Sequence, residues 1–251
     1  MSRPVPVQIE IAVDSVESAL AAARGGAHRL ELAAALELGG LTPSPGFVAA
    51  VRAQVALPLY VLLRPRAGDF LYSAAELDIM RRDLETARQA GAAGIVIGFL
   101  TPAGSVDGKR TREFVRRARP LAVTFHRAFD LAADPAAGLQ ALLACGVDNL
   151  LTSGGSQSAA AGWESIAALA QAARGRIELL AGGGVTAANA RSLVERAGVR
   201  WLHAGLRSPL PSRMRYRNEN IALGALSGRE YLRHVVREEP VRALLAAVAQ
   251  T

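Results

Sequence analysis

Short segments rich in leucine and β-branched residues alternate with longer amphipathic segments along the whole chain. This alternation is typical of βα units, in which helices connect the strands of a parallel sheet. Eight strands are predicted, at residues 7–13, 29–33, 59–63, 94–99, 121–126, 149–153, 177–181 and 201–205. The helical segments predicted between them include residues 15–24, 74–90, 111–118, 135–144, 163–173 and 187–196.

Glycines mark the ends of several of these helices. Gly25-Gly26, Gly91, Gly146 and Gly198 each come shortly before a predicted strand. Glycine there adopts the left-handed conformation that ends a helix and reverses the chain. Eight such units in 251 residues match a (β/α)8 barrel, and we predict that residues 1–251 form a single TIM barrel domain. A doubly wound open sheet is the alternative, but no G-x-G-x-x-G motif follows the first strand to favour it.

The strand pattern also predicts which side chains enter the barrel. Glu10 and Glu31 each lie between two apolar neighbours within a predicted strand. Successive side chains of a strand point to opposite faces, and the outer face of a barrel strand packs against helices. The apolar neighbours therefore point outward, and both glutamates point into the barrel. The same alternation places His126 inward at the end of the fifth strand.

Polar residues converge on the carboxyl ends of these strands, where barrel enzymes build their active sites. The predicted acid–base residues are Glu10, Glu31, His126 and Asp130. The predicted ligand-binding side chains from the same region are Arg64, Arg66, Asp69, Arg127 and His203. These charges could instead pair as a polar plug that fills the barrel. Such a plug is costly relative to an apolar core, which favours a functional pocket.

Glycine-bearing turns follow three of the late strands, the last of them at Ala204-Gly205. Ser153 and Gly154 come after the sixth strand, and Gly183 and Gly184 come after the seventh. Backbone N–H groups in such turns bind phosphate or carboxylate groups, although a tight turn by itself also needs glycine. We therefore expect these four residues to contribute to a site for an anionic small molecule.

A long segment, residues 206–228, follows the last strand. Its Arg215 and Arg217 are predicted bidentate clamps for the same anion. A connection of this length is interpreted as a lid over the barrel mouth or as part of a subunit contact.

Composition restricts the class of protein. With 51% hydrophobic and 20% charged residues, the chain is expected to form an ordinary globular domain. A single cysteine, Cys145, excludes an internal disulfide and a thiolate zinc cage. Acidic residues near the amino terminus and the lack of a long apolar segment disfavour a signal peptide and a membrane helix. We therefore predict a cytoplasmic protein with no membrane partner.

The formal net charge of +7 raises the question of nucleic-acid binding. Of the 29 basic residues only one is lysine, and the arginines are spread over the whole chain. The densest runs, residues 110–119 and 213–217, carry few aromatic residues on which bases could stack. The pattern favours a solvated basic surface over a nucleic-acid partner.

The positions of the nucleophiles disfavour two covalent mechanisms. Lys109 is predicted in the connection after the fourth strand, whereas a Schiff base requires a lysine inside the barrel. Cys145 ends a helix just before the sixth strand, at the opposite end of the barrel from the predicted site. General acid–base chemistry remains, with or without a divalent cation held by the same carboxylates and imidazole. No residue is assigned as a metal ligand.

Seven motifs, taken in order, relate the chain to a known family. They are Glu10-Ile11, Arg29-Leu30-Glu31-Leu32, Gly39-Gly40-Leu41-Thr42-Pro43-Ser44, Arg64-Pro65-Arg66-Ala67-Gly68-Asp69-Phe70, Val123-Thr124-Phe125-His126-Arg127-Ala128-Phe129-Asp130, Leu151-Thr152-Ser153-Gly154 and Met214-Arg215-Tyr216-Arg217. With these motifs the sequence resembles the CutC copper homeostasis proteins over nearly its whole length. The resemblance implies a cytosolic (β/α)8 barrel that forms a homo-oligomer, a dimer or tetramer. It also implies a link to copper homeostasis and copper(I) binding, and copper is suggested as a cofactor by this resemblance alone.

The sequence departs from the family at two positions where the resemblance implies copper ligands. The family's two candidate cysteines, which follow the Glu-Ile of the first strand and the Glu-Leu of the second, are Ala12 and Ala33 here. Copper(I) prefers thiolate and thioether ligands. The soft donors that remain in the chain are Cys145, Met1, Met80 and Met214, on separate predicted elements.

Two functions remain open from the sequence. One is the copper-handling role that the resemblance implies. The other is a barrel enzyme, a lyase, isomerase or hydrolase, that uses carboxylates and histidine on a small phosphorylated or carboxylated metabolite. The predicted site residues that match the family pattern are Glu10, Glu31, Arg64, Arg66, Asp69, His126, Arg127 and Asp130. This polar set is the stronger candidate for the working site.

A copper(I) titration tests the departure at Ala12 and Ala33. We expect no tight, stoichiometric site, because the chain lacks the cysteine pair and its other soft donors are scattered. One tight copper(I) site per monomer would contradict this expectation.

Overall fold

The computed structural model describes residues 6–218, 220–223 and 229–249. Eight parallel strands pair in sequence order and close into a barrel, which confirms the predicted fold class. The strands are β1 Gln8–Val13, β2 Arg29–Leu32, β3 Leu59–Leu62, β4 Gly94–Ile97, β5 Ala122–Phe125, β6 Asn149–Thr152, β7 Glu178–Gly182 and β8 Trp201–Ala204. Each of them falls where the hydrophobic pattern predicts a strand.

Helices follow the strands around the outside of the barrel. They are α1 Val16–Arg24, α2 Pro45–Arg52, α3 Ala74–Gln89, α4 Gly108–Ala118, α5 Pro135–Cys145, α6 Trp163–Ala173, α7 Ala187–Ala197 and α8 Glu238–Val248. Two short 3-10 helices, Leu36–Leu38 and Arg127–Leu131, follow β2 and β5. None of the helices in the described ranges is long and apolar enough to cross a membrane.

Local signals explain where several helices begin. The side chain of Ser73 accepts a hydrogen bond from the N–H of Glu76, and the Glu76 carboxylate accepts one from the N–H of Ser73. This reciprocal pair is a capping box, which satisfies two N–H groups that have no partner inside the helix. Helix α2, which was not among the predicted segments, begins after the capping residue Ser44 with proline in its first turn. Lys109 lies in the first turn of α4, on the outside of the barrel, rather than in the preceding connection.

An antiparallel hairpin follows the barrel and was not predicted. It consists of β9 Arg207–Pro211 and β10 Leu232–Val236. The N–H of Val236 donates to Ser18 Oγ on α1 at 3.1 Å and so fastens the hairpin to the helical layer. The hydrophobic pattern does not predict β9, because the strand contains two prolines. Proline cannot donate a hydrogen bond to a neighbouring strand and is confined to edge strands. Residues 219 and 224–228 of the segment between the two strands lie outside the described residues.

The alternation of side chains along the strands is as the sequence predicts. Ile9 and Leu30 are fully buried in the main apolar cluster, which includes residues of the surrounding helices. Glu10 and Glu31 are buried on the opposite face, inside the barrel. The interior is therefore filled partly by charged side chains, whereas the layer between strands and helices is apolar.

The packing of Gly94 against the Tyr60 ring inside the barrel is tested by Gly94→Ala. An added Cβ would lie 2.5 Å from a ring carbon of Tyr60, so we expect a loss of about 1–3 kcal/mol from overpacking. Gly46→Ala on α2 is the matched control, because no atom lies within 4 Å of its added Cβ. It should be neutral or stabilising by up to about 1 kcal/mol. Both values are measured by urea unfolding, and equal effects would contradict the packing.

Candidate functional site

A cavity of about 480 Å³ opens at the carboxyl ends of the barrel strands. Its size suits a small molecule. The predicted site residues that line it are Glu31, Arg64, His126, Arg127, Gly183, Gly184 and His203. These residues come from five different strands or the loops that follow them, so the fold brings together side chains that are far apart in sequence.

Beneath the cavity, a buried ion pair joins Glu10 to Arg29. Arg29 Nε donates to one oxygen of the Glu10 carboxylate, and both side chains are almost completely buried. The guanidinium lies between two aromatic rings, 4.2 Å from the ring centre of Tyr60 and 4.0 Å from that of Trp201. Strand register explains the arrangement, because Glu10 on β1 lies beside Arg29 on β2 and beside His203 on β8.

The second oxygen of Glu10 accepts a hydrogen bond from His203 Nδ1 at 2.6 Å. Burial raises the pKa of Glu10, but the positive charge of Arg29 and the hydrogen bond from His203 outweigh it, so the pKa lies below the ordinary value. For His203, burial lowers the pKa, but the carboxylates of Glu31 and Glu10 outweigh it and hold the pKa above the ordinary value. Glu10 is therefore a carboxylate, and His203 favours its charged form.

Glu31 is the titratable carboxyl group at the floor of the cavity. Its Oε2 lies 4.0 Å from His203 Nδ1 and forms no hydrogen bond within the described residues. Burial raises the pKa of Glu31 to about 7, with a further upward contribution from the negative charge of Glu10. The charges of His203 and Arg29 oppose this rise without cancelling it. Glu31 can therefore both accept and release a proton near neutral pH.

His126 lies at the end of β5, where it caps the following 3-10 helix. Its Nδ1 accepts the N–H of Ala128 at 3.0 Å. Burial, reinforced by the nearby charge of Arg64, lowers the pKa of His126 to about 3. The imidazole is therefore neutral at physiological pH.

Arg64 organises the loops at the mouth of the cavity. Its Nη1 donates to the carbonyl oxygens of Leu38 at 3.0 Å and Gly40 at 2.9 Å, and its Nη2 donates to that of Gly68 at 2.9 Å. Its guanidinium carbon also lies 5.0 Å from the ring centre of Phe70. Both terminal nitrogens are thus committed to backbone carbonyls, and the side chain joins the loops that follow β2 and β3.

Asp130 positions Arg127 at the edge of the cavity. Its carboxylate accepts hydrogen bonds from Arg127 Nε at 2.7 Å, from Ser153 Oγ at 2.8 Å and from Thr152 Oγ1 at 2.5 Å. Arg127 Nη2 donates to Ser153 Oγ at 2.9 Å. Asp130 therefore anchors the turn after β6 and holds Arg127, and it does not line the cavity.

The turn after β7 carries free backbone donors. Gly183 and Gly184 adopt positive φ angles of 105° and 69°, and the turn leads into the amino terminus of α7. The N–H groups of Gly184 and Val185 donate no hydrogen bond to any described residue. A Cβ added to Gly183 would lie 3.3 Å from Arg127 Nη1, so this guanidinium borders the turn. Backbone donors, a helix terminus and an arginine together suit an anionic group.

Several predicted site residues do not line the cavity. Arg66 forms ion pairs with Asp69 at 2.9 Å and with Glu76 at 2.5 Å, in the loop after β3 and at the start of α3. Arg215 and Arg217 are exposed on the segment between the hairpin strands. The remaining predicted site residues that do not line the cavity are Glu10, Asp130, Ser153 and Gly154. The alternation along a strand predicts that a side chain points into the barrel, but it does not predict how far along the barrel axis the side chain lies. Glu10 therefore points inward as predicted and yet lies below the cavity.

Two charged residues near the site were missed in the sequence. Arg29 shares the inward parity of Glu31, so the same alternation could have identified it. Arg207, at the start of the hairpin, lines the cavity and donates to Glu37 at 2.7 Å and to Asp14 at 3.4 Å. No sequence signal identifies Arg207, because its contacts depend on a hairpin that the pattern does not predict.

The CutC family model matches residues 7–208 of this chain. The chain belongs to the CutC family. A human protein named copper homeostasis protein cutC homolog is 44% identical over 239 residues, which cover 95% of this chain and 88% of the human protein. A Xanthomonas campestris pv. campestris strain 8004 protein named family protein CutC is 48% identical over 206 residues, which cover 82% of this chain and 86% of that protein. The crystal structure of a CutC protein from Streptococcus agalactiae matches with a TM-score of 0.75 at 29% identity, covering 78% of this chain and 97% of that chain.

The soft donors within the described part of this CutC chain do not assemble a copper(I) site. Cys145 is buried at the end of α5, with Sγ 3.3 Å from the Gly108 carbonyl oxygen, and Met80 is buried in α3. Met214 is exposed between the hairpin strands, and Met1 lies outside the described residues. Among the described residues that line the cavity, none is cysteine or methionine. Copper(I) therefore does not fit the donors present.

In a second possible ligand set, made of two carboxylates and an imidazole, two of the three members are already engaged by protein contacts. Glu10, Glu31 and His203 offer atoms that lie within 4.8 Å of one another. However, Glu10 is paired with Arg29 and hydrogen-bonded to His203 Nδ1, and a cation at this point would meet the guanidinium charge. We therefore assign no metal to this group.

The burial of Glu31 predicts a stability that depends on pH. Its pKa is about 7 in the folded chain, against an ordinary value of 4.5. The stability contributed by the protonated carboxyl is full below pH 4.5 and is lost as the pH rises through about 7, a change of up to about 3 kcal/mol. Glu31→Gln should therefore gain stability relative to the unaltered chain between pH 4.5 and pH 8, as measured by urea unfolding. Glu195→Gln on the exposed face of α7 is the control, and parallel pH profiles for Glu31→Gln and the unaltered chain would show that Glu31 is not perturbed.

Proposed function

We propose that the cavity binds a small anionic metabolite and performs acid–base chemistry on it through Glu31 and His203. The observation that carries this proposal is the pair itself. A carboxyl group with a pKa of about 7 lies beside a histidine whose pKa is raised, on the floor of a cavity of about 480 Å³. Titratable groups whose pKa values are perturbed by burial and by a charged neighbour inside a cleft are typical of catalytic acids and bases.

The anionic end of the metabolite is assigned to the turn after β7. The N–H groups of Gly184 and Val185 and the guanidinium of Arg127 border the same part of the cavity. The amino terminus of α7 adds a favourable partial charge. A phosphate or carboxylate group is the ligand chemistry that these donors suit.

The reacting end is assigned to Glu31 and His203. Nδ1 of His203 is engaged by Glu10, so Nε2 is the atom left to meet a ligand. Glu10 keeps its negative charge because Arg29 is paired with it. The charge of the Glu31 carboxylate, together with that of Glu10, favours the protonated form of His203. In this assignment the Glu31 carboxylate removes a proton from the metabolite, the imidazolium of His203 supplies one, and Glu10 acts as a positioning residue. The reaction class is that of a lyase, isomerase or hydrolase without a covalent lysine or cysteine intermediate.

A role in copper homeostasis is the second candidate. This role is taken from the name of the human relative, which is 44% identical over 95% of this chain. We propose that the chain shares this role without binding copper(I) through cavity thiolates, since Ala12 borders the cavity and Ala33 is buried beside it. A cytoplasmic location and a homo-oligomer, a dimer or tetramer, are part of the same proposal.

Ligand-induced stabilisation tests the cavity proposal. The purified chain is heated with inorganic phosphate, phosphorylated sugars, keto acids and divalent metals in turn. We expect a phosphorylated or carboxylated compound to raise Tm, because a ligand at about a hundred times its Kd stabilises the folded state by roughly 2.7 kcal/mol. Arg127→Ala should remove the increase.

Arg116→Ala, on the exposed face of α4, is the matched control and should keep the full increase. An unchanged increase in Arg127→Ala, or no increase with any anion in the unaltered chain, would contradict the proposal. An increase seen with metals alone would favour metal handling.

A further inference from the structure

The imidazole of His126 is held in one place by its neighbours. A Cβ added to Gly98 would lie 2.2 Å from Cε1 and 2.5 Å from Nδ1 of His126, so the ring occupies the space that a side chain at Gly98 would need. On another side, the ring of Phe70 lies with its centre 4.9 Å from that of His126. The ring therefore has little freedom to turn.

The hydrogen bond at Nδ1 decides which ring nitrogen carries the proton. The backbone N–H of Ala128 can only donate, and it donates to Nδ1 at 3.0 Å. Nδ1 must then be the unprotonated nitrogen, and the single proton of the neutral ring is on Nε2. The low pKa of about 3 keeps this form over the whole physiological range.

The Nε2–H group has no partner in the protein. Nε2 is buried, and no described residue accepts a hydrogen bond from it. A buried donor without an acceptor costs about 1–3 kcal/mol. His126 lines the cavity that also contains Glu31 and His203, so a ligand there is an available source of an acceptor. Nε2 itself has almost no surface open to a water-sized molecule, so a ligand oxygen reaches it only when a neighbouring side chain moves aside.

We propose that His126 is a neutral hydrogen-bond donor, through Nε2–H, to a carbonyl oxygen of the metabolite, which is therefore a phosphorylated or carboxylated carbonyl compound. This inference rests on the proposed function for the rest of the cavity. It changes the role assigned to His126 in the sequence, from a group that transfers a proton to one that polarises a carbonyl. A neutral donor stabilises the negative charge that develops on a carbonyl oxygen without giving its proton away.

The reaction that follows is proton exchange at the carbon next to the carbonyl. The Glu31 carboxylate takes the proton, the C–H electron pair forms a carbon–carbon double bond, and the carbonyl π electrons move to the oxygen that hydrogen-bonds to His126. Return of the proton to the same carbon restores the carbonyl compound. The step consumes no oxidant, reductant or co-reactant.

Nitrogen-15 NMR of the histidine side chains tests the tautomer without any ligand. We expect His126, assigned by the loss of its signals in His126→Gln, to stay neutral with the proton on Nε2 from pH 5 to pH 8. A proton on Nδ1, or titration between pH 5 and pH 8, would overturn the inference. This measurement does not depend on the proposed function.

Two compounds that differ at one oxygen test the carbonyl. Dihydroxyacetone phosphate and glycerol 3-phosphate share the phosphate and the carbon skeleton, and only the first has a carbonyl group. We expect the unaltered chain to bind the carbonyl compound roughly three- to tenfold more tightly, which is the range of one net hydrogen bond. His126→Leu should remove this preference, and His126→Gln, which keeps an N–H donor, should retain part of it.

A further variant and inorganic phosphate distinguish failure of the carbonyl inference from failure of the proposed function. Gly98→Ala, which keeps the imidazole but displaces it, should lose the carbonyl preference and still bind inorganic phosphate. Equal binding of the two compounds by the unaltered chain would overturn the inference and leave the anion site standing. Stabilisation by neither compound nor by inorganic phosphate would overturn the proposed function together with the carbonyl inference.

Discussion

The ion pair between Arg29 and Glu10 is the interaction on which the interior of this barrel depends. Removing two charges from water is costly, and the attraction between them repays that cost only when the geometry is good and further partners are present. The rings of Tyr60 and Trp201 contact the guanidinium, and His203 occupies the other carboxylate oxygen, while Arg29 Nη2 donates to no described group. The lower barrel is thus filled by a charged unit where many barrels use branched apolar side chains.

That unit affects the protonation states of the groups above it. Because Arg29 keeps Glu10 ionised, Glu10 adds to the effect of Glu31 in raising the pKa of His203, and burial leaves Glu31 as the carboxyl group that keeps its proton up to about pH 7. Glu10, His203 and Glu31, which lie next to one another, therefore have pKa values shifted in different directions or by different causes. This influence runs from the base of the barrel toward its mouth, so the protonation of the groups that border the cavity depends in part on residues that lie below it.

Regular periodicity explains what could be predicted from the sequence. The alternation within β1 and β2 identifies Glu10 and Glu31 as interior residues, and the run of βα units identifies the barrel. Residues whose roles depend on loops were not predictable in this way. Arg66 pairs with Glu76 on the next helix, and Arg207 belongs to a hairpin interrupted by prolines. Such contacts join elements that no repeating pattern relates, and propensity carries no information about them.

The three carbonyl contacts of Arg64 have a consequence for how this entrance can vary. They tie together the main chain of two loops, so the outline of the opening is maintained by peptide groups that every amino acid possesses. Surface side chains on those loops can be exchanged without altering that outline. Substitutions in these loops can therefore change which ligands the cavity admits without changing the backbone outline of its opening.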